Sequence, residues 1–346
     1  MNSILVFILL IGILLIGRPI LIPFFIAVFL WYLINAIASY YRKILPFKNP
    51  NDCKHCCLYC SFNVIATVLS IATIGAICVL FVTQVKPMFS ELTSMLPDIQ
   101  NRLIGFGDYL SKSFGITFDA SLLPNITGAA TKIGSSLANI ATSIGMILIY
   151  MLFLFFEQGT FRNKIFNMFS NPAKSRKLNF ILNSIDKNMK KYLFMKTLIS
   201  AATGICGYIW LRALGLEFAG IWAFMLFILN YIPTIGSIIA CGMPIVYALI
   251  AGGGLPVAIP VAIGLIGIQI IFGNILDPKL TGKTLNLSTL AILLNLVFWG
   301  LIWGIAGMFF SVPILVAIYI TVAQFDSTRW IAVLLSADGN IPDKSE

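Results

Sequence analysis

The sequence predicts an all-α integral membrane protein of about eight transmembrane helices, with broken or half-span helices in its C-terminal half. Three observations carry this expectation. Of 346 residues, 59% are hydrophobic and 10% charged, against roughly 45–50% and 25% in an ordinary soluble domain. The charges leave residues 19–41, 56–85, 133–156, 218–276 and 284–325 without Asp, Glu, Lys or Arg. A spanning helix needs about 20 mostly apolar residues, so each interval holds at least one. Stretches such as Leu5 to Leu15 and Met146 to Phe156 are apolar on every face, unlike the apolar/polar alternation of an outer-membrane barrel. This composition excludes a soluble enzyme, and residues 1–346 read as one polytopic membrane domain.

Taken in order, Ser3 to Ser39 is long enough for two short arms turning at Gly17-Arg18-Pro19. Met1 to Gly17 has no basic n-region and no small-residue cleavage site, so it reads as a retained first span. Spans are expected near 58–83, 134–156 and 194–214. The 59 residues of 218–276 would be roughly 88 Å long as one helix and must cross more than once. They divide into a pair within 218–251, broken near Pro233 to Gly236, and one span over 255–276. Residues 288–324 hold a short arm and a span that meet near Trp299 to Gly304.

Basic residues set the orientation. Segment 157–196 carries nine Lys and Arg against Glu157 and Asp186, and 40–57 carries four against Asp52, so both are expected in the cytoplasm. Segment 84–133 balances four bases with four acids and falls outside. The N-terminus is then expected in the cytoplasm, and the chain reads as a multi-pass membrane protein. The net charge of +10 is thus a topology signal and implies no nucleic acid. Two amphipathic segments stand out. In the outer segment, Met88, Leu92, Met95, Leu96, Ile99, Leu103, Phe106 and Leu110 recur at helical spacing, with Pro97 as a kink, and pack on the membrane surface or a neighbouring subunit. In the inner segment, Leu178, Ile181, Leu182, Ile185, Met189, Tyr192 and Leu193 form one stripe beside lysines, which suits contact with anionic membrane lipids or a regulatory partner.

Function is most legible where a polar residue stands in an otherwise charge-free interval. Asn230, Pro233, Thr234, Gly236 and Ser237 fall together. Pro233 has no N–H, so the Leu229 carbonyl loses its helical donor and must find protein, water or a solute in the membrane. Discontinuous helices of this kind build transporter substrate sites, and a kink used only for packing is the plainer alternative. A second cluster runs from Gln269 through Asn274, Asp277 and Pro278 to Lys283. Asp277 is expected near the cytoplasmic interface, as a partner of Lys279 or Lys283 or as a cation or proton site. Asn295 is a third intramembrane amide, on the arm leading to Gly300, Gly304 and Gly307, whose spacing permits close helix packing.

Membrane-embedded catalysis lacks its groups. A serine protease needs a buried histidine base, and the one histidine, His55, lies in a cytoplasmic segment. An aspartyl version needs two intramembrane carboxylates, and Asp277 alone is a candidate. Cys53, His55, Cys56, Cys57 and Cys60 include enough ligands for zinc. They crowd into nine residues of a reducing compartment, so reduced thiols are expected, with no metal and no cofactor. Cys78, Cys206 and Cys241 read as small buried apolar residues.

Asn230-Tyr-Ile-Pro-Thr-Ile-Gly236, Gly273-Asn-Ile-Leu-Asp-Pro-Lys-Leu-Thr-Gly282, Leu287-Ser-Thr-Leu290 and Gly304-Ile-Ala-Gly-Met-Phe-Phe-Ser-Val-Pro313 together resemble the autoinducer-2 exporter family of bacterial membrane permeases, in its exporter-type subgroup. The Arg18-Pro19 turn and the long outer and basic inner segments match the same layout. The resemblance implies a transporter. Some members are linked to export of autoinducer-2, a small uncharged polyhydroxylated furanose, and others to sodium or lithium exchange for protons. Phe272 stands where many relatives place a carboxylate, which counts against a carboxylate-based antiporter. Asp277 sits where relatives carry Glu or Ser, and Met195-Lys196 where they often have Gly-Gln, so no role is carried over to that pair.

Neutral polyols are bound by groups that both donate and accept, and Asn230, Thr234, Gln269 and Asn274 fit. The expected function is therefore a secondary transporter exporting a small, mostly uncharged polar solute, through movement of the 218–251 pair against 255–324. Asn230, Pro233, Thr234, Gly236, Gln269, Asn274, Asp277 and Pro278 are its candidate site, and Gly300, Gly304, Gly307 and Pro313 its packing residues. The alternatives are a sodium or lithium/proton antiporter using Asp277 and a non-transporting envelope scaffold. A homo-oligomer is expected, and the absence of a P-loop leaves a gradient or another chain as energy source.

Overall fold

The computed structural model describes residues 3–44, 143–160, 172–250, 253–282 and 286–341, with isolated positions 94, 97, 101, 104, 105 and 164. Apart from those positions, the expected span near 58–83, the outer amphipathic segment, the Cys53 to Cys60 cluster and Cys78 lie outside the described residues. The chain divides into two compact units. The first comprises residues 1–75, 144–197 and 277–346, and the second 76–143 and 198–276.

The architecture is all-helical among the described residues. Helices α1 (Ser3–Ile16) and α2 (Arg18–Ile44) are followed by α3 (Ser143–Thr160) and α4 (Pro172–Ala213). Helices α5 (Ala219–Leu229), α6 (Ile235–Ile250) and α7 (Leu255–Gln269) come next. Two π-helical stretches, Ile270–Leu276 and Pro278–Gly282, lead to α8 (Thr289–Trp303), α9 (Ile305–Ala323) and α10 (Arg329–Leu335). Among the described residues, five apolar segments are long enough to cross a membrane: Arg18–Ser39, Ser143–Thr160, Lys174–Ala213, Leu255–Leu280 and Ile305–Ala323. Helices α5, α6 and α8 are shorter and also apolar.

In the first unit, Gly17 makes the turn between α1 and α2. Its N–H bonds the Ile13 carbonyl at 2.8 Å, and a Cβ there would lie 2.8 Å from that oxygen and 3.0 Å from a Leu21 methyl. Pro19 follows at the start of α2, where a missing N–H costs nothing. The α8–α9 hairpin turns at Gly304, whose φ is +64°. A side chain at Gly307 would overlap the Trp299 carbonyl, so glycine lets α9 start directly on the end of α8. The Trp303 indole N–H donates to the Leu14 carbonyl at 3.0 Å, and Phe25 lies 5.0 Å from the Trp303 ring, joining the two hairpins through aromatic contacts.

Helix α4 departs from expectation. The basic amphipathic segment and the span near 194–214 are one continuous helix of 42 residues, about 63 Å long and twice the thickness of a bilayer core. Its apolar stripe faces protein. Met189, Tyr192 and Leu193 are buried against Val312, Val316, Tyr319, Ile320 and Ala323 of α9, so the C-terminal part of that stripe packs within the chain. The reason is local: a stripe at helical spacing seeks any apolar surface, and α9 supplies one within the same chain. Lysines remain on the other faces, with Lys190 bonded to Asp186 at 2.8 Å.

The chain entering α8 is tied to the C-terminal segment. The Ser288 N–H donates to the Leu335 carbonyl at 2.8 Å, and the Ala337 N–H to the Asn286 carbonyl at 3.0 Å. Asn286, at φ +42°, donates its side-chain amide to Asp338 Oδ1 at 2.6 Å and to the Asn340 carbonyl at 2.8 Å. Hydrogen bonds from Asn286 and then Asn340 hold the Asp338 carboxyl below the usual carboxylate range. A depressed folded pKa gives stability that is present above the unfolded value and lost as pH falls through the folded one. Amide exchange at Ser288 and Ala337 should therefore stay slow near neutrality and accelerate in acid below the ordinary aspartate range, and Asp338→Asn should remove that pH dependence.

Candidate functional site

The second unit holds a chain of uncharged polar side chains. Helix α5 ends at Asn230 because Pro233 cannot continue the ladder. The turn recovers its hydrogen bonds over shorter spacings: the Ile232 N–H reaches the Leu229 carbonyl at 2.9 Å, and the Tyr231 N–H reaches Ile228 at 3.3 Å. Of the three partners open to the Leu229 carbonyl, protein, water or a solute, the structure shows protein: the Ile232 N–H of the tight turn. Thr234 adopts φ +58°, and its carbonyl accepts the Ser237 hydroxyl at 3.0 Å and the Ile238 N–H at 3.2 Å, which starts α6. A Cβ at Gly236 would overlap the Leu229 carbonyl oxygen, so a glycine is required where α6 rests on the last turn of α5.

Asn230 itself is buried, at 4% exposure. Its amide donates to Ser200 Oγ at 3.0 Å, and its carbonyl oxygen accepts from Gln269 Nε2 at 3.4 Å. Ser200 lies on α4 and is fully buried. Small residues let the helices approach: a Cβ at Gly204 would lie 3.0 Å from the Ala223 carbonyl, and one at Gly207 would overlap Leu226. On α7, Gln269 is half-buried and its amide fills the space above Gly273, where a side chain would overlap it. Trp210 and Gly264 repeat that fit one level away, with the indole N–H donating to the Pro260 carbonyl at 3.1 Å. Each partner in the Ser200–Asn230–Gln269 chain is neutral and bifunctional. Gln269 uses an amide hydrogen on Asn230, and its own carbonyl oxygen is a further acceptor.

Not all expected residues join them. Thr234 and Asn274 are exposed, as is Pro278, and none of these three bonds to Asn230 or Gln269 among the described residues. Asp277 belongs to the first unit, between the two π-helical stretches. Its carboxylate lies 2.5 Å from the ammonium of Lys196, 81 residues away in sequence, a partner that the expectation of Lys279 or Lys283 did not include. Lys283 lies outside the described residues. The same helix α4 therefore supplies Lys196 to an ion pair in one unit and Ser200 to an amide chain in the other. Also in the first unit, Asn295 donates to the Ser311 carbonyl at 2.6 Å and ties α8 to α9. Of the thiols, Cys241 is buried and Cys206 half-buried; no group of three metal-ligating side chains occurs among the described residues.

Broken apolar helices around buried amides define a polytopic helical membrane protein of transporter type. The comparison with known sequences gives the family: the chain matches the AI-2E family transporter over residues 4–326 and belongs to that family. It is 31% identical to the AI-2 transport protein TqsA of Escherichia coli strain K12, over 92% of this chain and 90% of that one. It is 24% identical to a sodium-lithium/proton antiporter of Halobacillus andaensis, over 60% of this chain and 57% of that one.

Ser200 and Lys196 escape a reading that looks for polar residues in charge-free intervals. The available signal is the run of small residues Ser200, Thr203, Gly204 and Gly207, which marks a helix face meant for close approach. If Asn230 and Gln269 act as one unit, a double-mutant cycle with Asn230→Ala and Gln269→Ala should show coupling of about 0.6–1.7 kcal/mol in detergent or bilayer unfolding, whereas independent packing roles would give additive losses.

Proposed function

We propose that this chain is a secondary transporter that exports a small, mostly uncharged polar solute of the autoinducer-2 type from the bacterial cytoplasm. The observation that carries the reading is the buried Ser200–Asn230–Gln269 chain beside the break between α5 and α6. A polyhydroxylated solute presents donors and acceptors in equal measure, and amides and hydroxyls can exchange partners with it without moving a charge through hydrocarbon. Pro233 and Gly236 fix the break, with Asn230 at the end of α5, its side chain bonded to Ser200 on α4 and Gln269 on α7. The similarity to an AI-2 transport protein over nine-tenths of the chain supports the same solute class. The N-terminus is assigned to the cytoplasmic side from the distribution of Lys and Arg, and a homo-oligomer is part of the same proposal.

An antiporter is the second reading, favoured by the similarity to the sodium-lithium/proton antiporter. Asp277 is its one candidate carboxylate, and its pairing with Lys196 makes it the weaker reading. A sodium-dependent pH change in inverted vesicles that disappears in Asp277→Asn would reverse the ranking.

Purified protein in liposomes, with autoinducer-2 efflux followed across the bilayer, tests the proposal directly. Asn230→Leu and Gln269→Leu each remove hydrogen bonds of about 1–3 kcal/mol and should lower the efflux rate about tenfold while the proteins remain folded. Full efflux by both variants would leave the amide chain a packing feature.

A further inference from the structure

Helix α10 lies where membrane helices end. It follows α9, which is long and apolar enough to cross a membrane, after one tight turn. The Thr328 hydroxyl closes that turn on the Val322 carbonyl at 2.9 Å, and the Thr328 N–H on the Phe325 carbonyl at 3.1 Å. The last residue of α10, Leu335, accepts the Ser288 N–H at the head of α8. Helix α10 therefore crosses the shared end of the α8–α9 hairpin, within one compact unit. After Arg329 its sequence, Trp330-Ile-Ala-Val-Leu-Leu335, is wholly apolar. One side packs inward through Ala332 and Leu335. The other carries Trp330, Val333 and Leu334, with Trp330 63% and Leu334 69% exposed. A helix that is apolar all round needs cover on every side, and at the end of a hairpin of membrane helices the cover at hand is lipid.

Positive charge collects at the same end. The Lys177 ammonium of α4 stands 4.4 Å from the centroid of the Phe325 ring, which attracts it without neutralising it, and Phe325 precedes Arg329 by the single turn at Thr328. Arg329 is half-buried. Its Nη1 and the Ser175 Oγ, on the same first turns of α4 as Lys177, are the buried side-chain atoms without a hydrogen-bond partner among the described residues. Such atoms are rare in native proteins, and a partly dehydrated cation gains most from an anion brought beside it. We infer that Lys177, Arg329 and the outer side of α10 bind an anionic phospholipid. Its phosphate is taken by the Arg329 guanidinium, whose planar fork matches phosphate oxygens, with Lys177 adding a point charge. Trp330 lies at headgroup level, where indoles are enriched, and Val333 and Leu334 meet the acyl chains. Basic pockets beside membrane helices recognise headgroups in this way. The site is independent of which solute the chain carries.

Thermal unfolding of the full-length protein in dodecyl maltoside is followed as dioleoyl phosphatidylglycerol or dioleoyl phosphatidylcholine is added. The wild-type Tm should rise saturably by several degrees with phosphatidylglycerol and not with phosphatidylcholine, because a ligand of the folded state stabilises it by mass action. Lys177→Gln/Arg329→Gln should raise the half-saturating lipid fraction about twentyfold, at roughly fivefold per basic residue, with its Tm in phosphatidylcholine unchanged. Leu334→Ser should raise that fraction as well. Lys187→Gln/Lys191→Gln removes the same charge from exposed positions of α4 and should respond like the wild type. Inorganic phosphate should give no shift, since it offers Trp330 and Leu334 no apolar partner. Equal shifts with both lipids, or an equal loss in the Lys187/Lys191 variant, would overturn the site in favour of diffuse lipid contact. A phosphate shift matching that of phosphatidylglycerol would make it an ion site instead. Two further results would sink it: a lower Tm or failed recovery of the Lys177/Arg329 variant in phosphatidylcholine, which leaves both residues to the fold alone, and loss of self-association in Leu334→Ser with an intact lipid response, which gives the face to a second copy.

Discussion

Within hydrocarbon, a backbone carbonyl or amide without a partner costs several kcal/mol, and the places where helices stop are where this constraint acts. The chain answers it with the same device in each unit. Between α5 and α6, the Leu229 carbonyl takes the Ile232 N–H while Gly236 lies directly against it. Between α8 and α9, Gly304 turns the chain at positive φ and Gly307 lies against the Trp299 carbonyl. Helix α4 closes differently, with Gly215 at φ +69°, its N–H on the Arg212 carbonyl at 3.1 Å and the Leu216 N–H on Leu211 at 3.0 Å, a Schellman ending. Proline and glycine thus break helices without abandoning their hydrogen bonds, and the broken ends become places where a side chain can be aimed.

What is aimed there differs between the units. One presents amides and a hydroxyl, the other an ammonium and a carboxylate, and α4 reaches both. An amide chain tolerates exchange of partners because each member donates and accepts. An ion pair does not, because either member left alone in a low-dielectric setting is heavily penalised. The neutral chain is therefore the part suited to a solute that comes and goes, and the ion pair the part suited to remaining closed. The family assignment gives transport as the shared activity.

Much of the architecture is legible in the sequence. Charge-free intervals place the membrane segments, Gly17 and Pro19 place the first turn, Pro233 and Gly236 the second, and Gly304 the third, because a missing N–H or a missing Cβ acts locally wherever it occurs. The continuity of α4 is not legible, since its composition changes from basic to apolar near Lys196 while its backbone does not change at all. Extension of the α7 segment through Leu280 is hidden for a similar reason: π-helical turns carry no distinctive residue preference, and Pro278 suggests a stop one turn too early. The candidate site is half visible. Asn230 and Gln269 stand out as amides among apolar residues, whereas Ser200 is one small residue among several.

By itself, the sequence determined that this chain lives in a membrane, where its helices break, and which polar residues the bilayer would not tolerate without a reason. Those properties follow from composition and from neighbours a few residues apart. The tertiary structure decided the pairings: Asp277 with Lys196, Asn230 between Ser200 and Gln269, and Met189, Tyr192 and Leu193 of α4 against α9. Each of these joins residues from separate helices, and a side chain's choice between a solvent ion, a lipid and a distant residue depends on which helix happens to lie within hydrogen-bond reach.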